Sequence, residues 1–266
     1  MDNVEPFISL QDNNIVIIDD LTGIEKSNSS TKRLRLFGNG GLFRNYVLLI
    51  SEKSHSIYNY HSSVLYNPKK DEFYIIFGGA GAGKTVLIMQ GIIDGLELFG
   101  AEHAHIKIEN NQAIIYKGCL WDNIRLGTLV EDFPEVKKIL GVDAPSEIQD
   151  IWNTKVVTNF DKVSCSFDKK VNPSITLLFP HIEKGIGETQ VREITNKKTL
   201  RRILFENLLE KTCKVQFVSE KFPLPPLDTK ETISAKLNAV DQFLEKGRIK
   251  RAIRILSSPR GCWKIN

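Results

Sequence analysis

The chain has 266 residues, is 41% apolar and 26% charged, and carries a formal net charge of +4. Those values suit a globular protein with one sizeable core, or one domain with a small appendage, and exclude a disordered or strongly basic chain. No stretch approaches the ~20 apolar residues of a membrane span. The start Met1-Asp2-Asn3-Val4-Glu5 is acidic and lacks a leader's apolar run, so a cytoplasmic protein is expected.

Taken in order, residues 1–45 read as a preamble packed on the core, with Asn14–Ile18 as a short strand. The polar run 27–32 and the cluster 37–41 read as loop and turn. Tyr46–Ile50 is a second strand candidate. Ile57–Tyr66, rich in β-branched and aromatic residues, reads as a strand that turns at Asn67-Pro68-Lys69-Lys70-Asp71 and hairpins into Phe73–Phe77.

That last strand leads straight into Gly78-Gly79-Ala80-Gly81-Ala82-Gly83-Lys84-Thr85, which fills every fixed position of GxxxxGK[ST]. Small residues let the backbone curl so that successive N–H groups face phosphate oxygens. The apolar helix expected from Val86 onward adds its positive end. Lys84 supplies a point charge for the outer phosphates, and the Thr85 hydroxyl a magnesium ligand. A nucleoside triphosphate or another polyphosphate is the expected ligand.

Beyond the loop, Ala104–Glu109 and Gln112–Tyr116 form a predicted hairpin around Asn110-Asn111. Asp122–Leu129 and Pro134–Leu140 read as helices, and Lys155–Thr158, Val163–Phe167 and Ile175–Phe179 as strands. Asn196–Lys211 is an amphipathic helix with Leu200, Ile203, Leu204, Asn207 and Leu208 on one face. A strand at Val215–Val218 and a break at Phe222–Pro226 precede a helical region from about Thr232 to Ser257, interrupted at Gly247. The division expected is thus a preamble (1–45), a phosphate-loop core (46–230) and C-terminal helices (231–266). The fold class is α/β with a mixed sheet, because a hairpin feeds the loop. Cys119, Cys165, Cys213 and Cys262 have no CxxC spacing and are expected as reduced thiols. The basic run Lys246–Arg260 reads as a solvated helix face, which disfavours nucleic acid as a partner.

Three positions are candidates for chemistry around the loop. His61 lies on the strand beside the one feeding the loop, although a strand histidine is more often structural than catalytic. Glu102, with His103 after it, follows the segment beyond the loop helix and offers a carboxylate for the metal. Glu109 is a weaker candidate of the same kind.

Tyr60-His61-Ser62-Ser63, Lys69-Lys70-Asp71 and FYIIFGGAGAGKT together resemble the core of phosphoenolpyruvate carboxykinases and of the HPr kinase/phosphorylase catalytic domain. Leu98-Phe99-Gly100-Ala101-Glu102-His103 is similar to the carboxykinase segment Leu-Ile-Gly-Asp-Asp-Glu-His, Asn123–Glu131 to a later carboxykinase helix, and Pro180-His181-Ile182 to its Tyr-Pro turn. The resemblance covers roughly residues 57–182 and is specific mainly in the loop. It implies a histidine-bearing strand that hairpins into the loop strand, and phosphoryl transfer. Two departures stand out. The acidic pair becomes Ala101-Glu102, and the carboxykinase Asn-Thr-Arg falls on Ser174-Ile175-Thr176. The missing positive charge would then come from Arg192, Arg201 or Arg202. The chain also lacks length for the carboxykinase substrate domain, which argues against oxaloacetate decarboxylation.

The function expected is a nucleotide-dependent kinase moving a phosphoryl group to a hydroxyl of a small molecule or a protein serine. Lys84 and the loop amides would hold the phosphates of ATP, GTP or another polyphosphate. Thr85 and Glu102 would hold Mg²⁺, with His61 at the transferring group. The alternative is a module that binds or slowly hydrolyses ATP to switch a partner interaction, with a degenerate catalytic set. A nucleic-acid-dependent motor ranks last. A homo-oligomer is compatible with everything above.

Overall fold

The computed structural model describes residues 7–10, 16–19, 42–143, 150–183, 185–210, 212, 216–219, 222–224 and 227–259. The expected loop 27–32, Gly38–Gly41, Pro225, Pro226, Cys213, Cys262 and Arg260 lie outside the described residues. The first elements are β1 (Phe7–Leu10), β2 (Val16–Asp19), α1 (Leu42–His55), β3 (Tyr58–Tyr60), β4 (Ser62–Asn67), β5 (Glu72–Phe77) and α2 (Lys84–Ile93). Then come β6 (Glu97–Gly100), β7 (Ala104–Glu109), β8 (Gln112–Tyr116), β9 (Trp121–Arg125), α3 (Pro134–Leu140), β10 (Lys155–Asn159) and β11 (Lys169–Val171). The chain ends with β12 (Ser174–Ile182), β13 (Gln190–Glu193), α4 (Lys197–Leu209), β14 (Gln216–Ser219), β15 (Phe222–Leu224), α5 (Lys230–Lys246) and β16 (Ile249–Ser257).

The chain divides into two compact units, Met1–Ser56 with Leu209–Ile233 and Ile57–Leu208 with Ser234–Asn266. The first holds the antiparallel pairs β1–β2 and β14–β15 and the helix α1. Helix α1 replaces the strand expected at Tyr46–Ile50. Asn45, Tyr46, Leu48, Leu49 and Glu52 are buried while Val47 is exposed, which is helical rather than alternating periodicity. Lys53 and His55 in its last turn suit the negative end of the helix.

The second unit is built on a six-stranded mixed sheet in the order β13-β16-β12-β5-β4-β6. Strands β5, β12 and β16 are parallel, while β4 and β13 run antiparallel to their neighbours. The β4–β5 hairpin is the one expected from sequence, with Ser62 opposite Phe77 and Asn67 opposite Glu72. All six residues of β5 are buried, as they must be with helices on both faces. On one face Phe73, Ile75 and Phe77 pack with Leu200, Leu204 and Leu208 of α4 and Val240 and Phe243 of α5. On the other, Tyr74 and Ile76 pack with Leu87 and Ile88 of α2 and Val136 and Leu140 of α3.

A second sheet, β11-β8-β7-β3, contains the hairpin expected around Asn110-Asn111, both of which take positive φ. The strand expected over 57–66 is split at His61. Its first half pairs with β7 and its second half with β4's neighbours β5 and β6, so His61 stands at the joint between two sheets.

Three further expectations are corrected. The helix expected from Asp122 begins instead as strand β9, paired antiparallel with β10, and coils only from Leu126, with Thr128–Asp132 as one π-helical turn. The strand expected over Val163–Phe167 is a 3₁₀ turn at Asp161–Val163, with Ser164 bridging to Leu98. The second part of the expected C-terminal helical region is β16. Its Ala252, Ile253, Ile255 and Ser257 are buried, and a strand covered on both faces loses the period-2 signal. Gly247 ends α5, its N–H donating to Phe243 O at 2.9 Å. A Cβ there would lie 2.4 Å from that same oxygen.

Candidate active site

Because β5, β12 and β16 are parallel and β6 runs alongside in the same sense, their carboxyl ends share one edge of the sheet. Crevices at such an edge are where open α/β sheets bind ligands. The loop Gly78–Gly83 leaves β5 there and ends at Lys84, the first residue of α2. Gly79, Ala80 and Gly81 are exposed at the loop's crest, and Gly78, Ala82, Gly83 and Thr85 are half-buried. Gly83 has φ 101°, and a Cβ on it would come within 2.2 Å of the Ile182 side chain. Only glycine fits where the loop passes the end of β12. The loop is tied there by Ile182 N–H donating to Ala82 O at 3.1 Å.

No side chain caps the start of α2 and no acid lies in its first turn. Its first amides therefore face outward as donors for an anion, reinforced by the helix dipole. The Lys84 ammonium folds over the loop and donates to Gly78 O at 2.5 Å and Gly79 O at 3.2 Å. Thr85 sits one residue further, in the first turn of the helix.

Glu102 and His103 form the turn between β6 and β7, at this same edge. Ser63 Oγ pins the turn by donating to Ala101 O at 2.6 Å. His103 is buried, with its ring 6.0 Å from that of His61. The histidine expected near the phosphates is itself buried, and its carbonyl accepts a 2.7 Å hydrogen bond from Asn207 Nδ2. Since Ser62 pairs with Phe77, His61 lies level with Gly78, where the loop begins. Glu109 is at the far end of β7 and pairs with Lys107 at 2.6 Å, outside this group.

Sequence reasoning missed one residue. Gly118 N–H donates to Phe99 O at 2.8 Å and Ala101 N–H to Cys119 O at 2.8 Å, so the segment after β8 runs beside the Glu102 turn. Gly118 permits that approach, because a Cβ on it would meet His103 O at 2.7 Å. Three residues beyond Cys119, the half-buried Asp122 faces Glu102 and the Lys84 charge. Burial pushes the Asp122 carboxyl up to about 6, and the charge of Glu102 and a hydrogen bond with it push the same way. The Asn123 N–H, 2.7 Å from Asp122 Oδ1, and Lys84 pull in the other direction. Glu102 Oε2 is buried with no hydrogen-bond partner. A second carboxylate thus stands beside Glu102 from another strand, and the only sequence signal for it was an acid opening the segment after the hairpin.

The arginines expected to replace the missing charge stand elsewhere. Arg201 forms a two-pronged pair with Asp241 at 2.6 and 2.9 Å, and Arg202 pairs with Glu206 at 3.5 Å. Arg192 is on β13, three strands from β5. Thr176 is buried mid-sheet, donating to Glu72 Oε1 at 2.7 Å near the opposite edge.

The oxygen donors at the loop suit a hard cation. Magnesium takes one or two carboxylates and completes its shell with phosphates and water. Among the described residues no group of three or more His, Cys, Asp or Glu could hold a metal by itself. Glu102, with its orphaned buried oxygen, and Thr85 fit a metal that arrives with its nucleotide. No helix of the described residues is long and apolar enough to cross a membrane. Cys119 and Cys165 are free thiols, and burial with a hydrogen bond to Glu97 pushes Cys165 up to about 12.

No protein-family model matches the chain, and no curated protein matches it. Among solved structures, the chain is similar to the HPr(Ser) kinase/phosphatase from Coxiella burnetii. The identity is 17%, over 51% of this chain and 72% of that one, with a TM-score of 0.26. At that level of similarity the function has to rest on the residues of the site.

Proposed function

We propose that the protein is a nucleotide-dependent phosphotransferase of the mixed-sheet phosphate-loop type, acting on a hydroxyl acceptor. The observation that carries this reading is the meeting of Lys84, Glu102 and Asp122 at the carboxyl edge beside an uncapped helix start. The loop amides and Lys84 hold the triphosphate, with Lys84 exchanging the Gly78 and Gly79 carbonyls for phosphate oxygens. Thr85 and Glu102 hold Mg²⁺, which when bound neutralises charge on the transferring group.

Asp122 does the proton work. Burial raises the Asp122 carboxyl above an ordinary aspartate, which makes it the better base for accepting a proton from an attacking hydroxyl. In the step proposed, the acceptor oxygen bonds to the γ-phosphorus, its proton passes to Asp122, and the bond to the leaving diphosphate oxygen breaks. His61, packed against His103, positions the turn that carries Glu102.

A second reading, an ATP-binding switch, is favoured by the occupation of Arg201 and Arg202 in other pairs. Incubating the purified protein with γ-labelled Mg·ATP and pooled metabolites or cell extract separates the two. Transfer of label to an acceptor, lost in Asp122→Asn with nucleotide binding retained, supports the kinase. Binding with release of inorganic phosphate alone supports the switch and overturns the kinase.

A further inference from the structure

The outer edge of the six-stranded sheet is formed by β13, whose four residues Gln190–Glu193 are all exposed. Among the described residues β13 pairs only with β16, so its outer N–H and C=O groups face no strand. Arg192 of β13 is directly opposite Arg254 of β16. Opposed residues of an antiparallel pair share a face with Cα atoms about 5 Å apart, and like charges placed so repel. Among the described residues no carboxylate forms an ion pair with either arginine.

The same rim gains charge from α4. Ile194 N–H donates to Ala252 O at 2.7 Å, turning the chain from β13 into the start of α4, where Lys197 and Lys198 are exposed. On the helices of that face, Asp241 is already paired with Arg201 and Glu206 with Arg202. Glu193 is the adjacent β13 residue and so faces the other side of the sheet.

A charged edge strand is often only a guard against edge-to-edge pairing. Here two arginines also stand opposed without a counter-charge, a repulsion that an anion would relieve. We infer that the β13 edge is a docking strand for an extended acidic segment of a partner protein, added as a further antiparallel or parallel strand, with its carboxylates on Arg192 and Arg254. A strand-forming acidic peptide satisfies both features at once, backbone pairing along β13 and charge pairing on the arginines. A nucleic-acid strand would use the charges and leave the edge unpaired, and no exposed aromatic residue lies on β13 to stack a base. The inference is independent of the phosphoryl-transfer reading, since the rim lies three strands from β5.

The test uses the full chain and a fluorescein-labelled ten-residue peptide alternating Glu with Val, read by fluorescence anisotropy. Three competitors accompany it: the Gln-for-Glu peptide, the acidic peptide N-methylated at alternate residues, and a ten-nucleotide single-stranded DNA. Binding is expected to weaken about ten-fold in Arg192→Glu/Arg254→Glu and less in the double Gln variant, with melting temperature and Mg·ATP binding unchanged. It should also weaken as ionic strength rises. The N-methylated and Gln peptides should compete about ten-fold less well than the parent. Equal binding by the double variants, equal competition by the N-methylated peptide, or stronger competition by the DNA would each overturn the inference.

Discussion

The two edges of the six-stranded sheet treat their carboxylates in opposite ways. At the amino edge Glu72 is buried but accepts from Thr176 Oγ1 at 2.7 Å and Tyr74 OH at 3.5 Å. Beside it, hydrogen bonds from Lys170 and then Tyr66 hold the Asp71 carboxyl below its ordinary value. At the carboxyl edge the same kind of group is left wanting. Glu102 Oε2 has no hydrogen-bond partner, and Asp122 is pushed up to about 6 by burial and by Glu102. Acids satisfied by the fold contribute stability, whereas a buried carboxylate oxygen without a partner, such as Glu102 Oε2, is open to a ligand. The contrast sets acids satisfied within the fold at one edge against the half-buried pair at the other, where the proposed chemistry lies.

The sharpest way to break that contrast is at Lys84. Lys84→Ala should weaken Mg·ATP binding about 100-fold, since a charge-assisted phosphate contact is worth about 1.5–3 kcal/mol, while the melting temperature barely moves. Calorimetric titration with a parallel melt checks both. Thr176→Val should do the reverse, costing about 1–3 kcal/mol in urea unfolding because buried Glu72 loses a donor, with nucleotide affinity unchanged.

Asp122→Asn tests the sign of the carboxyl-edge strain. The folded protein holds the Asp122 proton more tightly than the unfolded chain, whose Asp titrates near 3.9. Folding stability therefore falls as pH rises from about 4 to about 6 and stays lower above that. Removing the charge should stabilise the protein by about 1–2 kcal/mol at pH 7.5, a figure reduced for partial solvent screening, and by about nothing at pH 4. Chemical denaturation at the two pH values measures it. The smallest effect is expected at the exposed pair of Lys170 with Asp71, 2.7 Å apart. Lys170→Ala should cost less than about 1 kcal/mol, and less still in high salt.

Local chemistry made the loop, the β4–β5 hairpin, the Asn110-Asn111 turn and α4 legible in the sequence, because each carries its own turn residues or periodicity. Segments decided by distant partners were not. Tyr46–Ile50 is apolar throughout and fits a strand as well as a helix until Val47 is found exposed. Strand β16 reads as helix because both its faces are covered, and its pairing with β12 is settled by residues some 75 positions away. Asp122 is the same failure within the site. Its closeness to Glu102 follows from main-chain hydrogen bonds of Gly118 and Cys119, which no motif spells out.

The carboxyl edge as a magnesium–triphosphate site is tested most directly by titrating ATP into the wild-type protein and Glu102→Gln, each with and without Mg²⁺. The account predicts that Mg²⁺ tightens ATP binding to the wild type about ten-fold or more and does so far less in Glu102→Gln, with metal-free affinities alike. ATP binding indifferent to Mg²⁺, or tightened equally in both proteins, would contradict it.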